Sequence, residues 1–84
     1  MLIDREEIRN KHIQIAESRK EGSTYCPSEV ARNLWPEGWR EKMGLVREVA
    51  DELIEERTLE LLQKGTVVAG KATTAKGPIR LRKF

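Results

Sequence analysis

Apolar residues recur every three or four positions through the first two thirds of the chain and every second position near its end, so helices are expected first and strands after them. Ile8, His12, Ile15 and Ala16 share one helical face. Asp4 stands where a cap is needed, Glu7 is placed to reach back to it, and Ile3 and Ile8 are spaced as a hydrophobic staple. These features predict a first helix over 5–21, with Gly22 as its left-handed stop. Pro27 suits a first helical turn and follows Cys26 at the cap, while Glu29 favours the positive helix end. Val30, Ala31 and Leu34 supply the apolar stripe of a short second helix over 27–34, which Pro36 prevents from continuing.

Trp39, Met43, Val46, Ala50 and Leu53 lie at spacings of four, three, four and three, a single helical face. Gly44 interrupts it at a cost of about 1 kcal/mol relative to alanine. A separate turn over Trp39 to Met43 is therefore expected ahead of a third helix over 45–57. Past Arg57 the period shortens to two. Thr58 to Gln63 reads as a strand, Lys64-Gly65 as a turn, and Thr66-Val67-Val68 as a β-branched partner. Ala69 to Lys76 is small, polar and basic, and is expected to be a mobile loop. In the closing strand Ile79 and Leu81 point to one face and Arg80 and Arg82 to the other. The hairpin region so defined covers 58–83, and the chain reads as one α+β domain of 84 residues.

Composition narrows the function classes. No apolar run approaches the roughly 18–20 residues that cross a bilayer, and the acidic N-terminal stretch from Met1 to Glu7 carries no apolar leader segment, so a soluble cytoplasmic protein without membrane attachment is expected. A single cysteine and a single histidine exclude an intrachain disulfide and a zinc-ligand cluster. Cys26 is expected to cap a helix and His12 to pack in a core, rather than to act as a thiolate or a base. No phosphate loop, serine elbow or paired-carboxylate motif is present, so no enzyme activity and no cofactor are expected.

Several stretches together are similar to a known family: Cys26-Pro27-Ser28-Glu29-Val30-Ala31-Arg32, Trp39-Arg40 with Met43, Val46-Arg47 with Val49-Ala50, Gln63-Lys64-Gly65, and Gly77-Pro78-Ile79-Arg80-Leu81-Arg82. Over roughly residues 5–83 the chain resembles the small bacterial family catalogued as domain of unknown function 3253. The resemblance implies a winged helix, three helices forming a helix-turn-helix core followed by a β-hairpin wing, and it implies no activity. Two positions depart from the family pattern. Glu56-Arg57-Thr58 stands where a glycine often ends the third helix, and Gly44 where a proline is common.

Charge then suggests how such a scaffold is used. The net charge is +2. Nine basic side chains oppose thirteen acidic ones up to Glu56, and seven oppose one afterwards, giving −4 and +6. A winged helix places its third helix in the major groove and its wing on the neighbouring backbone. On that pattern Arg40, Lys42 and Arg47 at the start of the third helix, and Lys71, Lys76, Arg80 and Arg82 in the wing, are the expected nucleic-acid contacts, with DNA as partner. The outward Glu48, Asp51, Glu52 and Glu55 would repel phosphate. A non-enzymatic module docking its basic wing on an acidic protein is the alternative, and a homodimer through Ile13 on helix one is a further possibility. Of Trp35 and Trp39, at least one is expected in the core, and a partly exposed Trp35 would favour a protein interface.

Overall fold

The computed structural model describes residues 3–84. Met1 and Leu2, part of the stretch read for a leader, lie outside the described residues. Helix α1 (Arg5–Ser18) begins as its sequence predicts, with the Asp4 carboxylate accepting the Glu7 N–H at 3.0 Å. It ends three residues before Glu21, because the Ser18 hydroxyl donates to the Ile15 carbonyl and Arg19 turns extended at φ −85° and ψ 155°. Gly22, at φ 84°, serves a turn closed by Ser23 N–H to the Lys20 carbonyl instead of stopping the helix. Helix α2 (Pro27–Leu34) carries Pro27 at its first position, and the Glu29 carboxylate accepts the Cys26 N–H at 3.0 Å.

A 3₁₀ turn over Trp39–Lys42 precedes helix α3 (Met43–Glu55), so the separate turn is present and the helix lies two residues earlier than 45–57 at each end. Its exit explains the departure at Arg57. Thr58 N–H donates to the Leu53 carbonyl at 2.8 Å and Arg57 N–H to the Ile54 carbonyl at 3.0 Å, a Schellman closure that requires a left-handed residue. Arg57 occupies that position at φ 62° where glycine would carry no side-chain penalty.

The sheet is antiparallel in the order β2-β1-β3, formed by β1 (Leu59–Gln63), β2 (Thr66–Val67) and β3 (Arg80–Lys83). Lys64 and Gly65 both take positive φ, 52° and 78°, as a two-residue hairpin turn demands. The closing strand therefore returns to the opposite edge of β1, pairing Leu61 with Leu81, and the 58–83 region is a hairpin plus a long return rather than one simple hairpin. Tyr25, between α1 and α2, adds a bridge to Leu81 through two 2.8 Å backbone hydrogen bonds, an element that a lone residue gives no period to reveal. Three helices followed by this sheet make the α+β fold expected, compatible with a winged-helix-like arrangement.

The core forms where α1, α2 and α3 meet the inner face of the sheet: Ile8, Val30, Val46, Ala50, Leu53, Leu61 and Leu81 are buried there. Trp35, Trp39 and Ile13 are half-buried and pack along its margin, so neither tryptophan enters the core itself. No helix among the described residues is long and apolar enough to cross a membrane.

Among the described residues His12 is the one polar or charged residue, the Tyr25 phenol aside, that is fully buried in this core. Its Nε2 contacts the Val46 carbonyl at 3.0 Å, an atom that only accepts, so the proton resides on Nε2 and Nδ1 accepts the Tyr25 hydroxyl at 2.8 Å. Burial lowers the His12 pKa from 6.5 to about 4, against the opposing pull of the Val46 carbonyl, and pushes the Tyr25 phenol up.

Two measurements test this account. Folded His12 stays neutral while the unfolded chain takes up a proton, so its contribution is complete above pH 6.5 and is lost as pH falls toward 4. At about 1.4 kcal/mol per pH unit, the expected loss is about 3 kcal/mol across that window by urea unfolding, and His12→Gln should lack this component. Equal pH slopes for the two proteins would reject the assignment. Second, Arg57→Gly should raise stability by about 1 kcal/mol, because glycine relieves the left-handed strain; unchanged stability would mean that Arg57 is not strained there.

Candidate nucleic-acid interface

Helix α3 presents Glu48, Glu52 and Glu56 at intervals of four, and α1 presents Arg5 and Arg9 at the same interval, so the two rows meet side by side. Arg5 pairs with Glu52 and reaches Glu48 at 3.8 Å, and Arg9 grips both oxygens of Glu56. The Arg9 hydrogen bonds hold Glu56 below the usual carboxylate range. Arg5 and Arg9 are raised in turn, chiefly by their hydrogen bonds to Glu52 and Glu56. Such exposed pairs add little stability, but they engage Glu48 and Glu52, two of the four carboxylates expected to repel phosphate. Glu55 keeps no ion-pair partner among the described residues.

The opposite balance holds where α3 begins. Gly38 turns left-handed at φ 79° and directs the chain into the 3₁₀ turn that carries Arg40 and Lys42. The Arg40 guanidinium lies 5.0 Å from the Trp39 ring centre, and Arg32, from the end of α2, lies 4.3 Å from the same ring. Lys42 stands 5.5 Å from the Trp35 ring. All three cations are exposed, and none has a carboxylate partner among the described residues. Arg32 was not among the residues the sequence singled out; the interleaving Arg-x-x-Trp-x-x-x-Trp-Arg-x-Lys is the signal that points to it.

Arg47 follows one turn into α3, half-buried, with its Nε enclosed and without a hydrogen-bond partner among the described residues. It lines an open groove with Met43, Gly44, Glu48 and Thr73, which places the long return loop beside the start of α3. That loop is not the free segment expected. The Asp51 carboxylate accepts the Ala72 N–H at 2.5 Å and the Thr73 hydroxyl at 2.6 Å, and Ala72 is fully buried. Gln63 holds the far end by donating to the Lys76 carbonyl at 2.7 Å. Lys71 and Lys76 remain exposed, with Lys71 in a shallow concavity beside Asp51, Glu52 and Glu55.

Arg80 and Arg82 stand apart from this group. Strand alternation buries Ile79 and Leu81 against the helices and turns Arg80 and Arg82 to the outer face of the sheet. Arg82 is engaged with Glu60 through two nitrogens at 3.0 and 2.6 Å, so its charge is already opposed. Arg80 braces the bridge between α1 and α2, donating to the Thr24 hydroxyl at 3.0 Å and carbonyl at 3.1 Å. Cys26 sits at the α2 cap, where the Ser28 hydroxyl donates to its sulfur at 3.1 Å. No group of three or more metal-ligating side chains forms among the described residues.

Comparison with known proteins identifies the chain at the level of family. No curated protein matches it significantly. A family model described as protein of unknown function (DUF3253) matches residues 5–83, nearly the whole chain, including the tryptophan turn, α3 and the return loop. The chain therefore belongs to the DUF3253 family, whose description assigns no activity.

Proposed function

We propose that this is a non-enzymatic cytoplasmic protein that binds nucleic acid, with duplex DNA as the partner, through Arg32, Arg40, Lys42, Arg47, Lys71 and Lys76. The observation that carries the reading is the placement of Arg32 and Arg40 over the Trp39 ring and of Lys42 over the Trp35 ring, with none of the three in an ion pair among the described residues. A guanidinium laid on an aromatic face keeps its N–H edge available, and that edge fits phosphate in a bidentate manner. The arginines of α1 support the reading by offsetting the acidic row of α3. Arg80 and Arg82 contribute to the field of the molecule from another surface, so the direct contacts are assigned to the first six residues.

A second reading draws on the half-buried Trp35, which suits an anchor in an acidic protein surface. Salt dependence separates the two partners. Fluorescence anisotropy of labelled random-sequence duplex with nuclease-treated protein should give log affinity against log salt with a slope of about −3.6 to −5.4, the range for four to six phosphate contacts. The variant carrying Arg40→Ala and Lys42→Ala should be shallower by about 1.8. Absence of binding at low salt would overturn the nucleic-acid reading and favour the acidic protein.

A further inference from the structure

We infer that Asp51 is the positioning residue of this interface: a carboxylate whose removal weakens nucleic-acid binding although it makes the protein more positive. The inference rests on the nucleic-acid reading above. A side chain that merely faced the ligand would act in the opposite direction, since an acidic group near phosphate is repulsive.

The geometry shows why Asp51 differs from its neighbours. Thr74 and Ala75 N–H groups both donate to the Lys71 carbonyl, at 3.3 and 3.0 Å, so the loop makes one isolated helical turn. The first N–H groups of any such turn lack internal acceptors. Here they belong to Ala72 and Thr73, and the acceptor is supplied from α3, 21 and 22 residues earlier in the chain. One Asp51 oxygen takes the Ala72 N–H, and the other takes the Thr73 hydroxyl with a longer 3.4 Å contact from the Thr73 N–H. Both carboxylate oxygens are thus committed to the loop. Glu55, one turn further along the same helix, makes no comparable contact.

Lys71 begins the latched turn, and Lys76 lies at the point where Gln63 secures the return to β3. The two tethers hold the lysine-bearing stretch in place, with its Thr73 at the Arg47 groove, before any ligand arrives. Ordering a loop before association removes an entropic cost from binding, which is how a residue without ligand contact raises affinity. Without Asp51, the small residues of Ala69–Ala75 offer little else to define the turn, Ala72 excepted, and its buried N–H would lose its acceptor.

The test compares the 84-residue chain with its Asp51→Ala, Asp51→Asn and Glu55→Gln variants, using the labelled random-sequence duplex. Asp51→Ala should bind about tenfold more weakly, with a salt slope shallower by about 1.8 as two lysine contacts are lost. Asp51→Asn, which keeps an acceptor for Ala72, should fall between it and the native chain, and Glu55→Gln should bind no more weakly than the native chain. Adding Lys71→Ala and Lys76→Ala should weaken the native chain and leave Asp51→Ala nearly unchanged. Tighter or equal binding by both Asp51 variants, or additive loss with the lysine changes, would overturn the inference.

A readout without nucleic acid keeps the latch separable from the function. Brief trypsin treatment should cut Asp51→Ala faster after Lys71 and Lys76 while cleavage after Lys64 is unchanged. If the native chain fails to bind duplex but this cleavage pattern appears, the binding reading falls and the latch stands. If cleavage is unchanged, the latch falls. Should Asp51→Ala not fold, the Asn variant carries the same comparisons.

Discussion

The arrangement depends on one buried polar connection above the others among the described residues, His12 held between the Tyr25 hydroxyl and the Val46 carbonyl. Each partner comes from a different part of the chain: α1, the bridge that pairs with β3, and the first half of α3. Buried polar groups are tolerated only when satisfied, and leaving one without a partner costs about 1–3 kcal/mol. The requirement is directional in a way that apolar contacts are not. It ties α1 to α3 and, through the two backbone hydrogen bonds between Tyr25 and Leu81, to the edge of the sheet.

With α1 and α3 so joined, their charged rows are brought together, and the distribution of charge on the surface follows. Arg5 and Arg9 are spent on Glu48, Glu52 and Glu56. Asp51 is spent on the return loop. Arg82, the residue that its position in a basic tail makes conspicuous, is spent on Glu60. Among the cations that form no ion pair between described residues, Arg32, Arg40 and Lys42 stand together on the two tryptophans at the entry to α3. A net charge of +2 conceals this pattern because it sums over pairs that cancel locally. The field felt by a partner is set by the residues left over.

Much of the fold was legible in the sequence. The Asp4 cap, Pro27 at the start of α2, the separate turn before α3, the Lys64-Gly65 hairpin and the two faces of β3 each rest on contacts a few residues apart, which local pattern reports directly. The limits are equally local. Helix α1 stops early because the Ser18 hydroxyl competes for a carbonyl, and α3 closes on Arg57 because the closure tolerates a left-handed arginine that the pattern reserves for glycine. The candidate contacts were legible only in part: the sequence places Arg40 and Lys42 in the turn before α3, Arg47 at its start and Lys71 and Lys76 in the return loop, whereas Arg32 meets the first two only through its position over Trp39.

By itself the sequence determined the order of helices and strands, the inward faces and the basic bias of the tail, since periodicity and composition are properties of neighbours along the chain. Tertiary structure decided which charges are free. Glu60 and Arg82 are 22 residues apart, Asp51 and Thr73 likewise, and Arg9 and Glu56 are 47 apart. Whether such groups meet depends on how helices and sheet dock. That docking is fixed by buried contacts such as His12 with Val46, 34 residues apart, whose spacing carries no local signature.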